Sequence, residues 1–239
     1  CNVHSRIYPF GVTPETLRAD GVVGVILSGG PESVTEGADA PRAPDCVFTM
    51  GLPILGICYG MQTMAGQLGG RVETSDVREF GYAQIKVESA NTLLEDIKDH
   101  IGSEGESLLD VWMSHGDKIE EMPDRWQILA TSSNGVIAAI GNENQSRVAT
   151  QFHPEVSHTK EGKEIISNFL FKISNCTPNW TAGNFINEQI NIIRERIGKK
   201  KVLVGVSGGV DSTVVAALLH KAVGENSIAV LIDHGLLRK

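Results

Sequence analysis

A cysteine between two glycines is the first feature of this sequence that could do chemistry. Cys58 is the centre of Gly56-Ile57-Cys58-Tyr59-Gly60, after an apolar run and before a helical pattern. The glycines allow a sharp strand-to-helix turn, and N–H groups at a helix start favour the thiolate, which is the nucleophilic form. From these five residues alone, a buried structural cysteine explains the pattern equally well.

A histidine and a glutamate two positions apart follow another apolar run, in Gln151-Phe152-His153-Pro154-Glu155. Side chains two apart in an extended chain point the same way, so Glu155 can accept a hydrogen bond from one ring nitrogen of His153. The other nitrogen is then free to act as a base. A polar pair at a strand end is the simpler alternative. Because α/β sheets gather functional groups at the carboxyl ends of their strands, the pattern predicts a Cys58-His153-Glu155 triad.

A third strand end offers backbone donors. The turn Ser28-Gly29-Gly30-Pro31 follows an apolar run and could present N–H groups to a developing oxyanion. With the N–H of Tyr59, that of Gly30 would complete an oxyanion hole. On its own the segment is only a turn signal.

A second glycine-rich loop occurs far along the chain, at Ser207-Gly208-Gly209-Val210-Asp211-Ser212. It joins an apolar run to a helical pattern, so its N–H groups and the helix start could bind an anion. The carboxylate of Asp211 could orient Mg²⁺. The lysine of a Walker A loop is missing. For Ser-Gly-Gly alone, the alternative to an anion-binding loop is a glycine-rich βα turn that binds no ligand.

The composition is that of a globular chain. Of 239 residues, 41% are hydrophobic and 21% charged, and the net charge of −8 gives no support for binding nucleic acid or an anionic membrane. The four cysteines form no CxxC pair, which argues against a disulfide framework or a structural metal and favours a reducing cytoplasm. We find no apolar run of membrane-spanning length and no basic leader.

Short apolar runs alternate with helical stretches, which predicts a mainly parallel α/β sheet with flanking helices. The predicted strands are 22–27, 53–57, 84–87, 128–131, 137–140 and 148–152. Polar and turn-forming residues interrupt the pattern near 175–179. Four isoleucines then lie on one face of a helix that ends at Gly198, and a βαβ pattern follows over 202–232. We predict a first domain over 1–174, a linker over 175–184 and the start of a doubly wound domain over 185–239.

The three strand-end segments together resemble the class I (triad) glutamine amidotransferase family over about residues 1–173. The resemblance implies a flavodoxin-like fold in which Cys58 attacks the side-chain amide of glutamine. It makes His153 the general base and acid and Glu155 the orienting carboxylate. It also implies that Gln62, with Ser114 and His115 in what we interpret as a turn, holds the α-amino and α-carboxylate groups of glutamine. Members of this family normally begin with a strand and a helix that have no equivalent before Cys1.

The second loop resembles the pyrophosphate loop of N-type ATP pyrophosphatases. That resemblance implies ATP binding, with Mg²⁺ at Asp211, by residues Ser207, Gly208, Gly209, Val210, Asp211, Ser212 and Thr213. A triad amidotransferase ahead of this loop is the arrangement of the glutamine-hydrolysing GMP synthetase family, which Tyr82 and the run 232–238 also resemble. The family implies glutamine, ATP-Mg and XMP as substrates, no tightly bound cofactor, a cytoplasmic location and a homodimer formed through a C-terminal domain that this chain lacks.

Other functions remain open from the sequence. The triad could serve another ATP-dependent acceptor, or could belong to a γ-glutamyl hydrolase or protease. The non-enzymatic alternative is a regulatory homologue without catalytic activity, although the intact Cys58, His153 and Glu155 argue against it. His158, three residues beyond Glu155, is interpreted as a bystander.

Overall fold

The computed structural model describes residues 1–35, 37 and 40–231, except for the side chains of residues 76 and 77. The chain forms two compact units. The first consists of Cys1 and Ser5–Thr177, and the second of Asn2–His4 with Pro178–Lys239. The run 232–238, which contributed to the sequence resemblance, lies outside the described residues.

The first unit alternates short helices with strands. Its elements are α1 (Pro14–Ala19), β1 (Val25–Leu27), α2 (Asp45–Thr49), β2 (Ile54–Ile57), α3 (Tyr59–Gln67), β3 (Arg71–Val87), β4 (His100–Ile101), β5 (Ser107–Glu121), β6 (Trp126–Ser132), β7 (Ile137–Asn142), β8 (Arg147–Thr150) and α4 (Gly162–Ser167). A π-helical segment, Asn168–Ile173, continues α4. Within the described part of the chain, no helix has both the length and the apolar character that crossing a membrane requires.

The strands of the first unit form one sheet in the order β1-β2-β8-β7-β6-β3-β5-β4. Strands β1, β2 and β8 run parallel, whereas the pairs from β8 through to β4 are antiparallel. The α/β class is therefore confirmed, and the expected parallel pairing holds for one side of the sheet. On the other side, short connections such as that from β7 to β8 favour antiparallel pairing, because a parallel crossover needs a dozen residues or more.

Strand β2 is buried on both faces, which explains its unbroken apolar sequence. Leu55 and Ile57 pack in one hydrophobic cluster with Phe169, on the face that α4 covers. Ile54 points to the other face and belongs to the cluster that contains Met64 of α3. The end of β2, where Cys58 follows, is thus held by two packed layers.

The segment 114–117 is not the turn that its Ser-His-Gly-Asp composition suggested. It lies inside β5 and faces β3 across an antiparallel ladder with an irregular register. Burial alternates along β5, so His115 and Asp117 point to the same side as Val111 and Met113. Pairing with the long β3 strand overrides the local turn preference of these residues.

The second unit contains α5 (Ala182–Ile197), β9 (Val202–Val206), α6 (Val210–Val223), a 3₁₀ turn (Gly224–Asn226) and β10 (Ser227–Leu231). Thr181 caps α5 by accepting a hydrogen bond from the N–H of Asn184, and Gly198 with φ 58° ends the helix where the sequence predicted. Strands β9 and β10 pair in parallel, and α6 lies in the connection between them. The predicted βαβ unit is therefore confirmed within the described residues.

Candidate active site

Cys58 lies on a strained turn between β2 and α3. Its backbone has φ 50° and ψ −108°, in a region that residues with side chains rarely adopt. The N–H of Cys58 donates to the carbonyl oxygen of Thr150 at 2.8 Å, and α3 begins at the next residue, Tyr59. This anchoring holds the unusual conformation in place at the carboxyl end of β2.

Two glycines make the turn sterically possible. A Cβ on Gly60 would overlap the carbonyl oxygen of Leu27 in β1. A Cβ on Gly56 would lie 2.8 Å from the carbonyl oxygen of Gly60, closer than real Cβ contacts allow. The glycines thus allow the sharp turn that the sequence predicted, and the avoided Cβ clashes explain the G-x-C-x-G spacing.

His153 and Glu155 form a hydrogen-bonded pair just after β8. Nδ1 of His153 lies 2.7 Å from Oε1 of Glu155, and the two side chains are 17% and 44% exposed. The hydrogen bond with Cys58, followed by that with Glu155, raises the pKa of His153 to about 10 against the opposing effect of burial. Burial alone would raise the pKa of Glu155, but hydrogen bonds from His153 and from its own backbone keep that pKa below its usual value. Both shifts favour an imidazolium at His153 paired with a carboxylate at Glu155.

The sulfur of Cys58 has further polar neighbours in addition to His153. The carbonyl oxygen of Ser114 lies 3.5 Å from Sγ and can accept a hydrogen bond from Cys58 when the thiol is protonated. On another side, Nε2 of Gln151 lies 3.6 Å from Sγ and donates to it. The sulfur therefore sits between one acceptor and two donors, since the charged imidazole can only donate.

The turn that follows β1 packs against the same site. A Cβ on Gly29 would lie 3.0 Å from Cε1 of His153 and 3.7 Å from Cβ of Cys58. A Cβ on Gly30 would lie 3.7 Å from Cγ of Tyr59. The structure thus brings together the three strand ends that the sequence singled out, including the two residues proposed for an oxyanion hole.

Gln62, which the sequence resemblance assigned to glutamine binding, is only 3% exposed. Its Nε2 donates to the carbonyl oxygen of Asp117 at 3.1 Å and to Oε1 of Gln151 at 3.2 Å. Both N–H bonds of this amide are thus directed to protein acceptors.

His115, assigned to the same role, is 4% exposed. Its Nδ1 lies 3.0 Å from the carbonyl oxygen of Asp117, and its Nε2 lies 3.3 Å from Oε2 of Glu79. Ser114, the third member of the predicted set, is exposed and contacts Cys58 through its carbonyl group. The glutamine-binding roles of these three residues stay a prediction.

The loop 207–213 of the second unit is mostly exposed and is held by hydrogen bonds within the loop. The hydroxyl of Ser212 accepts from the N–H of Ser207 at 3.2 Å and donates to the carbonyl oxygen of Gly209. Thr213 donates to the same oxygen at 2.8 Å, and Gly208 has φ 77°. These hydrogen bonds join the loop to the first turn of α6. Across the described part of the chain, no group of three or more His, Cys, Asp and Glu side chains could hold a metal ion.

Comparison with known proteins identifies the first unit. A family model described as glutamine amidotransferase class-I matches residues 1–173, more than half of the chain. The chain belongs to the class-I glutamine amidotransferase family. A second family model, described as NAD synthase, matches residues 183–236. The predicted fold class, an amidotransferase domain followed by the start of an ATP pyrophosphatase domain, is confirmed.

Relatives of this class-I amidotransferase include two proteins named GMP synthase (glutamine-hydrolyzing). The protein from Teredinibacter turnerae is 54% identical, and that from Hahella chejuensis 52% identical, over 99% of this chain. The chain spans 45% of the length of each.

Solved structures agree on the fold. A crystal structure from Thermoplasma acidophilum, described as that of a GMP synthase subunit, is 30% identical with a TM-score of 0.58, covering 71% of this chain and 80% of that one. A glutamine amidotransferase from Thermotoga maritima has a TM-score of 0.52 at 20% identity, covering 63% and 78%, and shows the fold alone.

Sequence reasoning missed two residues of this amidotransferase site. Gln151 is two positions before His153, so the alternation that paired His153 with Glu155 could also have placed Gln151 at the site. Thr159 is buried, and its hydroxyl donates to the carbonyl oxygen of His153 at 2.6 Å and accepts from the N–H of Trp112 at 3.1 Å. No local pattern marks Thr159, because its partner Trp112 is distant in sequence.

Proposed function

We propose that the amidotransferase unit hydrolyses glutamine to glutamate and ammonia, with Cys58 as nucleophile. One observation carries the proposal. In a member of this family, Nδ1 of His153 lies 2.7 Å from Oε1 of Glu155, and the interaction of the same imidazole with Cys58 is the largest cause that raises its pKa. A nucleophile, a base and an orienting carboxylate in one connected set are what amide hydrolysis by covalent catalysis requires.

The proposed reaction begins from a thiolate favoured by the adjacent imidazolium. Sγ of Cys58 forms a bond to the amide carbon, and the carbonyl oxygen becomes an oxyanion that the N–H groups of Gly30 and Tyr59 stabilise. His153 gives its proton to the nitrogen, the C–N bond breaks and ammonia leaves a thioester. The neutral imidazole then takes a proton from water, whose oxygen attacks the thioester. Glutamate departs, and the thiolate and imidazolium are restored.

Gln62, Ser114 and His115 are proposed to support the α-groups of the bound glutamine. Ser114 is exposed beside the sulfur, so it is the member of the set that is open to substrate. Both N–H bonds of Gln62 are engaged, which leaves its Oε1 to accept from an α-ammonium group. His115 would act by fixing the β5 segment on which Ser114 lies.

We further propose that the loop 207–213 binds the phosphates of ATP, with Mg²⁺ as part of that substrate. Asp211 in the first turn of α6 is exposed and is proposed to meet the ion. The N–H groups at the helix start suit phosphate oxygens. The domain limits proposed for the two activities are those predicted from the sequence, with a linker over 175–184.

For the longer protein that carries this sequence, we propose the amination of XMP to GMP. ATP would be cleaved to AMP and pyrophosphate as XMP is adenylylated, and ammonia would displace AMP. The names of relatives about 50% identical over 99% of the chain support this assignment. A homodimer and a cytoplasmic location belong to the same proposal.

The test uses the full-length protein with ATP, Mg²⁺ and XMP, supplied with either glutamine or ammonium. We expect pyrophosphate release in both cases. Cys58→Ala should abolish release with glutamine and retain it with ammonium, because the proposed second site makes the product. Ser207→Ala should reduce both. Loss of both activities in Cys58→Ala would contradict two separable sites.

The NAD synthase match makes a second acceptor worth testing. Nicotinate adenine dinucleotide in place of XMP should give no pyrophosphate under the proposal. Release with that acceptor and not with XMP would instead assign the protein to NAD synthesis.

A further inference from the structure

Gln151 contacts the sulfur atom that the proposed reaction uses. It is fully buried, and its Nε2 lies 3.6 Å from Sγ of Cys58. An N–H donor facing a thiolate stabilises the negative charge, and burial strengthens the effect because water does not compete.

The orientation of this amide follows from its neighbours. The carbonyl oxygen of Asp117 can only accept, so the atom of Gln62 that lies 3.1 Å from it must be the amide nitrogen. The same nitrogen lies 3.2 Å from the side chain of Gln151 and must meet an oxygen there. Gln151 therefore presents Oε1 to Gln62 and its N–H bonds to Cys58.

The hydrogen-bond chain continues to His115 and Glu79. His115 shares the Asp117 carbonyl through Nδ1 and faces the Glu79 carboxylate through Nε2. Both ring nitrogens of His115 therefore face hydrogen-bond acceptors of the protein. Glu79 is in turn fixed by the hydroxyl of Ser132 at 2.9 Å. Each member of the chain from Glu79 to Gln151 is less than 10% exposed.

We propose that Gln151 is a further catalytic residue, whose side-chain N–H stabilises the Cys58 thiolate, and that the buried chain from Glu79 through His115 and Gln62 holds that N–H in position. The inference rests on the proposed function, because this thiolate is its nucleophile. The charged groups on the sulfur side of the site are His153 and, behind it, Glu155. Gln151 adds a neutral donor from another direction.

The test measures how the reactivity of Cys58 depends on pH in the 239-residue chain. The chain is treated briefly with iodoacetamide between pH 4 and 9, and the carbamidomethylated Cys58 peptide is quantified by mass spectrometry, separately from the other three cysteines. Gln151→Met removes the N–H donor while keeping a side chain of similar size. Gln151→Glu keeps the oxygen that faces Gln62 and replaces the amide nitrogen that faces Cys58 with a carboxylate oxygen.

We expect the midpoint pH of Cys58 alkylation to rise by about one unit in Gln151→Met, a tenfold change in the ionisation constant, and by more in Gln151→Glu. Gln62→Met should move the midpoint in the same direction, because Gln151 loses the partner that orients it. Gln67→Met is the matched control on α3. Among the residues that the structure describes, Gln67 forms hydrogen bonds with Ala43 and Thr63 and none with Gln151. The midpoint pH of Cys58 alkylation in Gln67→Met should therefore equal that of the unsubstituted chain.

A second measurement needs no substitution at Gln151. In the unsubstituted chain, the side-chain amide ¹⁵N–¹H resonances of Gln151 should shift with pH at the same midpoint as Cys58 alkylation. An unchanged midpoint in a folded Gln151→Met variant, or amide resonances that do not follow the Cys58 transition, would overturn the inference. If Cys58 of the unsubstituted chain reacted no faster than Cys46 and Cys176, the proposed glutaminase itself would be contradicted instead.

Discussion

Nδ1 of His153 lies 2.7 Å from Oε1 of Glu155, and the same imidazole interacts with Cys58. The hydrogen bond with Cys58 is the largest cause that raises the pKa of His153 to about 10, and the bond with Glu155 is the second. The raised pKa favours a positive charge on this imidazole before a substrate binds. In the proposed reaction, His153 therefore acts first as the acid that protonates the leaving nitrogen.

Removing the thiol should lower the pKa of His153. In Cys58→Ala the largest cause of the upward shift is lost, and only Glu155 remains to hold the imidazolium against burial. The pH titration of the His153 ring Cε1–H signal by NMR measures this directly. Cys176→Ala is the control and should leave the titration unchanged. Equal midpoints in Cys58→Ala and the unsubstituted chain would show that the thiol does not hold the charge.

The same shift predicts how stability depends on pH. A group whose pKa is raised on folding stabilises the folded state fully below its ordinary value, here 6.5, and loses this contribution as the pH rises through about 10. The free energy of unfolding, measured with urea between pH 6 and 10, should therefore fall more steeply for the unsubstituted chain than for His153→Asn. Parallel curves for the two proteins would count against the raised pKa.

Gly60→Ala should destabilise the turn that carries Cys58. The new Cβ would overlap the carbonyl oxygen of Leu27, and backbone atoms cannot move aside cheaply. We expect a loss of about 2–4 kcal/mol in the free energy of unfolding, in the range of strongly destabilising substitutions. Urea denaturation at pH 7 provides the measurement.

Gly66→Ala is the matched control on the same helix. Gly66 is exposed, and a Cβ there meets nothing within 4 Å. Alanine should raise stability by about 0.5–1 kcal/mol, because glycine weakens a helix interior. If Gly60→Ala and Gly66→Ala lowered the free energy of unfolding equally, the loss would have a cause other than the contact with Leu27.

Thr159→Val should slow the proposed glutaminase without unfolding the protein. The Thr159 hydroxyl joins the carbonyl oxygen of His153 to the N–H of Trp112, which fixes the backbone of the base to β5. Valine has the same shape but no hydroxyl, so we expect kcat to fall about tenfold with little change in KM, since small displacements of a catalytic group reduce rate strongly. Glutamate release by the full-length protein is measured at saturating and limiting glutamine.

Thr131→Val supplies the comparison for that experiment. Thr131 donates at 2.6 Å to Glu88 in an exposed pair, so losing its hydroxyl should leave both kinetic constants as they were. Normal kcat in Thr159→Val would show that the hydroxyl bridge does not position His153.

The residues that meet at this site were easier to predict from sequence than the sheet that positions them. The spacing of Cys58 between glycines has a local steric cause, and His153 and Glu155 are only two residues apart just beyond β8, so both features could be seen in a few residues. The placement of 114–117 could not, because it depends on pairing with β3, far along the chain. The burial of His115 against Glu79 has the same non-local cause.

Asp110 offers a prediction away from the proposed site. Hydrogen bonds from Lys160, first, and from His100 lower the pKa of Asp110 to about 2, against burial. A group whose pKa is lowered on folding stabilises the folded state above its ordinary value, here 3.8, and loses this contribution as the pH falls through about 2. The Asp110 side chain is 24% exposed, so solvent reduces the effect. We expect Asp110→Asn to lower the free energy of unfolding, measured with urea, by about 1 kcal/mol at pH 6 and by almost nothing near pH 2.

Asp96→Asn is the control for this experiment. The Asp96 side chain is 88% exposed and lies 3.7 Å from Lys172, so its substitution should have little effect on stability at either pH. A loss for Asp110→Asn that is equal at both pH values would show that the carboxylate charge is not what stabilises this cluster.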